Sequence, residues 1–205
     1  MIRKYFNKIG EASGDRDNAF RAYRPNVTEL NTSSSAMKTV TITATDPRIW
    51  AMASVYASAF SGEPWNEIID VDKQLAVWLR HSENHCARYL IATKGEIVLG
   101  GCEFMPLDMF PERREAFHAA TYGSLFVNDL FVSPVVQNHG TGSALLEQAE
   151  AAAITHGFSH VSLRTHAADF RLCTFYEHRG YVSVCEVPSI SGGPLRRVFI
   201  KNLVI

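Results

Sequence analysis

The sequence predicts a single α/β domain over residues 37–205, preceded by a tail, and three observations predict it. Stretches that alternate in hydrophobicity at the period of a strand are interleaved with stretches whose apolar residues recur at helical spacing. A composition of 46% hydrophobic and 20% charged residues over 205 residues is that of a globular chain able to bury one sizeable core. Residues 130–146, LFVSPVVQNHGTGSALL, run from an apolar strand through a Gly-bearing loop directly into a helix.

The elements follow in order. Residues 1–30 mix charges, glycines and aromatics without sustained period, and residues 31–36, NTSSSA, read as a polar linker, so 1–36 are expected to form a flexible tail. The alternative is that Tyr5, Phe6, Phe20 and Tyr23 dock on the domain as a short helix. Residues 39–44, TVTITA, alternate as a strand; Asp46 and Pro47 offer an N-cap and a first helical residue, and Ile49, Met52, Ala53, Tyr56 and Phe60 recur at helical spacing. A second helix over 71–80 carries Leu75, Trp78 and Leu79 on one face. Two strands, 88–93 and 96–104, are joined by Lys94 and Gly95; the segment 106–122 is irregular and long for a connection, and 124–132 reads as a strand. A helix is expected over 143–150, then a strand over 161–165, a short helix within 169–181 closed by Gly180, and two strands, 181–187 and 195–204, about the turn at 191–194. The order is β α α β β β α β α β β, without internal repeat.

Composition removes several classes of function. With 20 Lys and Arg against 21 Asp and Glu there is no charge excess to draw nucleic acid or a membrane surface. No apolar stretch approaches the ~20 residues needed to cross a bilayer. Cys86, Cys102, Cys173 and Cys185 form no C-x-x-C pair, and the chain opens without the apolar run of a signal peptide, which points to a reducing cytoplasm. The histidines show no metal-ligand spacing, so no metal is expected.

The Gly-bearing loop is the main chemical signal. Free NH groups in a helix's first turn make an anion site, and glycines let a pyrophosphate approach the backbone. The spacing Gln137-x-x-Gly140-x-Gly142 is neither a phosphate loop ending in Gly-Lys-Ser/Thr nor the dinucleotide fingerprint G-x-G-x-x-G. Such glycines also serve merely to pack a helix on a sheet, and the loop alone leaves both readings open.

Taken with residues 169–181, DFRLCTFYEHRGY, the loop resembles the paired motifs of the GNAT superfamily of N-acetyltransferases: Arg/Gln-x-x-Gly-x-Gly/Ala, then, one strand later, a helix with a Phe/Leu-Tyr pair ahead of Gly-Phe/Tyr. The match spans residues 130–181, with flanking elements fitting more loosely over 38–205. The resemblance implies the GNAT acyl-CoA N-acyltransferase fold, a mixed, mostly antiparallel sheet with helices on both faces and two central strands that splay apart. It implies acetyl-CoA as cosubstrate in that splay, with the backbone of Leu130, Phe131 and Val132 pairing with its pantetheine arm. The pyrophosphate is then expected on the loop formed by Asn138, His139, Gly140, Thr141, Gly142 and Ser143, with Gln137 also at the cofactor. Tyr176, the tyrosine of the Phe-Tyr pair, is implied as general acid to the departing thiolate; its alternative is an ordinary half-buried aromatic. Asp169 stands where the family commonly has an Asn touching the pantetheine arm, and keeps an acceptor while losing the amide donor.

Acetyl transfer to an amine also needs a group that takes the amine's proton. Asp129 and Glu103 are the candidates, and strict strand alternation sets Asp129 on the face of Phe131, opposite Leu130; an ordinary strand carboxylate is the alternative. Where relatives that acetylate protein N-termini carry a Glu base, this chain has Arg164, which stays charged and speaks against that substrate. Residues 60–67, FSGEPWNE, set Trp65 beside Glu63 and Glu67 and suit a cationic amine, so Trp65 and Glu67 are expected at the substrate; alternatively Trp65 caps the core and the carboxylates are solvated. The segment resembles a Pro-Trp-Asn-Glu element of some bacterial family members that act on small molecules. The expected activity is acetyl transfer from acetyl-CoA, by direct attack, to a small-molecule amine such as an aminoglycoside, a polyamine or an amino-acid derivative. A non-catalytic CoA-binding module and acetylation of a protein amine are the alternatives, and a homodimer is compatible with the sequence.

Overall fold

The computed structural model describes residues 35–63, 65–110, 117–189 and 193–203. All of the expected tail but Ser35 and Ala36 lies outside the described residues, as do Pro64, part of the irregular 106–122 segment and half of the 191–194 turn. The elements are β1 (Met37–Ile42), α1 (Ile49–Phe60), α2 (Val71–Asn84), β2 (Arg88–Lys94), β3 (Ile97–Pro106), β4 (Leu125–Val132), α3 (Thr141–Thr155), β5 (His160–His166), α4 (Phe170–Glu177), β6 (Val182–Val187) and β7 (Arg196–Asn202). Their order is the one the periodicities predict. Boundaries shift by a few residues, as where α2 runs on to Asn84 and α3 spans Thr141–Thr155, and at the start of α1 the reason is local: the Asp46 carboxylate accepts from the Arg48 backbone NH and side chain within a turn, so α1 starts only at Ile49, with Arg48 as its N-cap.

The strands form one seven-stranded sheet in the order β1-β2-β3-β4-β5-β7-β6, in which β4 and β5 are parallel and all other neighbours antiparallel. Parallel neighbours need a crossover, and α3 supplies it. Helices cover both faces. On one, Met52 of α1 and Leu75 and Trp78 of α2 pack with Tyr89, Phe126 and Phe131; on the other, Leu145, Leu146 and Ala149 of α3 and Cys173 and Tyr176 of α4 pack with Leu163 and Phe199. Each large side chain buried there contributes roughly 1.5–3 kcal/mol.

Two irregularities shape the centre of the sheet. First, β4 and β5 pair only from Leu125–Val127 against Val161–Leu163; beyond, β4 keeps only β3 and β5 only β7, and a wedge opens between them. Second, β4 bulges. Glu103 faces Asn128 and Gly101 faces Phe131, so Asp129 and Leu130 together oppose the single residue Cys102. Phe126 and Phe131 belong to one core and Leu125, Val127 and Leu130 to the other, a change of parity that only an extra residue explains. Asp129 is that residue, at φ +50. Beside the bulge the strands come unusually close: a Cβ on Gly100 would lie 2.5 Å from the Phe131 carbonyl oxygen, and one on Gly101 2.7 Å from that of Leu90.

Candidate active site

The wedge is the mouth of a cleft of about 500 Å³. Leu130, Phe131 and Val132 of β4 form one wall; Gln137, Asn138, Gly140, Gly142 and Ser143 close one end; Arg171, Leu172, Phe175, Tyr176 and Arg179 of α4 and its C-terminal turn face them, and Phe60 and Trp65 complete the rim. Of the residues expected at the cofactor, Leu130, Phe131, Val132, Gln137, Asn138, Gly140, Gly142, Ser143 and Tyr176 line this one space. His139, Thr141 and Asp169 do not. The His139 ring bonds the Gln137 carbonyl at 2.7 Å, Thr141 is buried as the first residue of α3, and Asp169 caps α4 by accepting from the Leu172 NH at 3.0 Å.

The end of the cleft at α3 is built to receive negative charge. The N-cap of α3 is Gly140 at φ +85, with no side chain capping the helix, so the first-turn NH groups have no intrahelical acceptor and carry the positive end of the dipole. Asn138, at φ +64, adds a second left-handed turn residue before it, bending the backbone into a concave loop. Gly142 lies inside the first turn, where a Cβ would meet Val132 at 3.5 Å and Phe175 at 3.8 Å; its absence keeps the helix end open. Arg179 stacks over the Phe175 ring at 3.8 Å, donates to the Phe175 carbonyl and to the Ser143 hydroxyl, and so brings a cation to the same helix end. Sequence reading missed Arg179; its position four residues after Phe175 on a helical stretch is the signal that could have found it.

Along β4 the wall is a strand edge. The Phe131 carbonyl points towards Gly100 on β3, so by alternation the backbone groups of Val132 face the cleft, where the Gln137 side-chain amide reaches the Val132 carbonyl at 3.4 Å. Tyr176 stands across from this edge. Its ring is buried against Phe175, Tyr181 and Phe199, and among the described residues no group bonds its hydroxyl, which belongs to a residue of the cleft wall. Burial raises its pKa above the ordinary tyrosine value, so it holds its proton at neutral pH.

The two carboxylates expected as bases lie together, in different surroundings. Glu103 is fully buried: Oε1 lies 2.9 Å from His81 Nδ1 and 3.0 Å from the Tyr89 hydroxyl, whose one proton is shared with the Trp78 carbonyl at 2.6 Å, and Oε2 accepts from the Asn128 amide at 2.8 Å. Asp129 is half-buried, and the Asn128 amide also reaches its Oδ2 at 3.3 Å. Burial, then the negative charge of Glu103, pushes the Asp129 pKa up to about 7, against the pull of Arg164 and His81. Asn128, His81 and Tyr89 escaped sequence reading because their relation to Glu103 is made across strands and from α2, with no spacing along the chain to betray it.

Trp65 sits with its ring 4.0 Å from that of His166, 5.2 Å from that of Phe60 and 5.5 Å from the Arg196 guanidinium. The cation over this indole is thus the chain's own. Glu67 is exposed, and its charge is felt at Asp129 and Arg196. Arg164 lies over the rings of Phe110 and Phe117 at 5.3 and 5.4 Å. Among the described residues no group of three or more His, Cys, Asp or Glu gathers as a metal site, and no helix is long and apolar enough to cross a membrane.

This architecture has close counterparts among solved structures. The yncA protein of Salmonella typhimurium, solved with its cofactor acetyl-CoA, aligns with a TM-score of 0.61 at 16% identity over 82% of this chain and 95% of its own. The PaiA N-acetyltransferase of Thermoplasma acidophilum, in complex with coenzyme A, gives 0.58 at 14% over 82% and 99%, and the ribosomal-protein-alanine N-acetyltransferase of Brucella melitensis 0.62 at 14% over 81% and 99%. At such identities the likeness is one of fold. No curated protein matches the chain in sequence. The acetyltransferase (GNAT) family model does, over residues 49–181, from the start of α1 to the Tyr that follows the α4 turn; with the splayed β4–β5 pair, the open α3 end and Tyr176 in one cleft, the chain belongs to that family.

Proposed function

We propose that the chain transfers the acetyl group of acetyl-CoA to the amine of a small molecule. One observation carries this reading: a single cleft joins the uncapped first turn of α3 to Tyr176 and runs along the open edge of β4. The residues fit the cosubstrate. The loop from Gln137 to Ser143 offers unaccepted backbone NH groups to a pyrophosphate, Arg171 and Arg179 add positive charge at its rim, and Val132 offers strand-edge backbone to an amide-bearing arm. Family membership and the acetyl-CoA and coenzyme A held by two of the structural neighbours support the choice. When bound, acetyl-CoA supplies an activated thioester.

The chain's own groups then divide the proton work. Asp129 takes the proton of the attacking amine: with a pKa of about 7 it is a stronger base than an ordinary carboxylate and is still substantially ionised at neutral pH. Glu103, in contact with Tyr89, His81 and Asn128, supplies the negative charge that raises the basicity of Asp129. Tyr176 keeps its proton and hands it to the departing sulfur. Phe60, Trp65 and Phe131 keep water from the reacting end. The test is release of free thiol from acetyl-CoA across a panel of small amines. Amine-dependent release is expected; acetyl-CoA binding without such release for any amine would leave a CoA-binding module in place of the enzyme.

A further inference from the structure

We infer that the acceptor is an amino acid, an amine that carries a carboxylate, and that Arg196 binds this carboxylate; the inference rests on the acetyl-transfer reading above. Where β4 and β5 part, the sheet face turned to α1 and α2 has two banks. Asp129 stands on the β4 bank. On the other bank, Arg196 pairs in register with His166 of β5 and lies two residues before Val198, a member of the core beneath α1 and α2, so it shares that face. Arg197, one residue on, points the other way and is paired with Glu186 at 2.8 Å.

Arg196 has no such partner. Its guanidinium is half-buried, lies 5.5 Å from the Trp65 ring that lines the cleft, and among the described residues has neither a hydrogen bond nor a carboxylate within 4.0 Å. Glu67, Asp129 and Tyr56 surround it beyond contact range, and burial lowers its pKa without discharging it. A desolvated planar cation with five donors and no acceptor is a site for a bidentate anion, and a carboxylate is the small anion that fits its fork. Arg164, held by Phe110 and Phe117 on the same side of the wedge, reinforces the positive bank.

The two banks together select a zwitterion. An ammonium group faces Asp129 and a carboxylate faces Arg196, whereas a polyamine or aminoglycoside would bring several positive charges against an arginine already seated over Trp65. The phosphates of the cosubstrate do not compete, because their cradle lies at the α3 end of the cleft.

Binding tests this without relying on turnover. The full chain, saturated with coenzyme A, is titrated calorimetrically with the standard L-amino acids, each beside its own carboxamide, which keeps the amine and side chain and removes only the negative charge. At least one amino acid is expected to bind about tenfold or more tighter than its carboxamide, and Arg196→Gln to bring that ratio to within about twofold, with Arg196→Lys intermediate. Amino acids that bind no better than carboxamides, or a ratio that Arg196→Gln leaves unchanged in a chain of wild-type melting temperature, would overturn the inference. Carboxylate selectivity without thiol release from acetyl-CoA would instead overturn the transfer reading alone, and thiol release with carboxamides or polyamines as the preferred acceptors would overturn only the carboxylate.

Discussion

Asn128 of β4 and Glu103 of β3 sit opposite each other in register, and the amide of the first donates to the carboxylate of the second at 2.8 Å while reaching Asp129 at 3.3 Å. One amide thus ties a buried, fully partnered carboxylate to a half-buried one whose pKa is pushed up to about 7. The charges about Asp129 are Glu103 and Glu67, which raise its pKa, and Arg164 and His81, which lower it; Arg196, Tyr56 and Tyr89 complete the surroundings.

Glu103→Gln removes the nearer negative charge, so ionised Asp129 is less disfavoured and its pKa falls. The acid limb of the kcat/KM profile is expected to move to lower pH by about one unit, with activity retained. Were Glu103 itself the base, the same substitution would abolish activity at every pH.

Asp129→Gly separates stability from catalysis. A non-Gly residue at φ +50 inside a strand is strained, and this one also carries a charge repelled by Glu103. Glycine adopts that conformation freely, so the variant is expected to be more stable by about 1 kcal/mol in thermal unfolding, while kcat falls by about 10²-fold or more through loss of the base. A less stable variant would show that Asp129 contributes more to the bulge through the Asn128 amide than its backbone costs.

Tyr176→Phe removes one oxygen and preserves the ring's packing against Tyr181 and Phe199. We expect kcat to fall about 10²-fold or more in single-turnover measurements, with acetyl-CoA affinity nearly intact. Wild-type rates with chemistry limiting would remove the hydroxyl from the mechanism.

At Gly142 a Cβ makes only ordinary contacts, with Val132 and Phe175, so Gly142→Val should fold; its branches would then occupy the open helix end. Acetyl-CoA affinity measured by calorimetry is expected to drop about tenfold or more. Unchanged affinity in the folded variant would move the pyrophosphate off this loop.

The order of elements was legible because strand and helix periods are local properties, and so was the loop from Gln137 to Ser143, whose chemistry resides in its own backbone. The environment of Asp129 was not. The bulge sets Asn128, opposite Glu103, on the Phe131 side as well, which strict alternation does not allow, and nothing in VNDLFV announces an inserted residue. Glu103 and Asp129 could both be picked out as carboxylates, yet their different surroundings are made by Tyr89, His81 and Asn128, which come from β2, α2 and β4. Trp65 read as a platform for a substrate cation because Arg196, which lies over it, is far along the chain.

The short pairing of β4 with β5 has a mechanical consequence. Three residues on each strand join what are otherwise two sheets, β1 to β4 and β5 to β7, whereas β5 and β7 are paired along seven. The domain is therefore two plates with a narrow seam, strapped by α3, and the seam is the line along which it parts most easily. A ligand laid along β4 adds rungs where the chain leaves them out. Occupancy and cohesion then become one equilibrium, and the melting temperature should climb with the logarithm of acetyl-CoA concentration, making the protein's own resistance to heat a gauge of how full its cleft is.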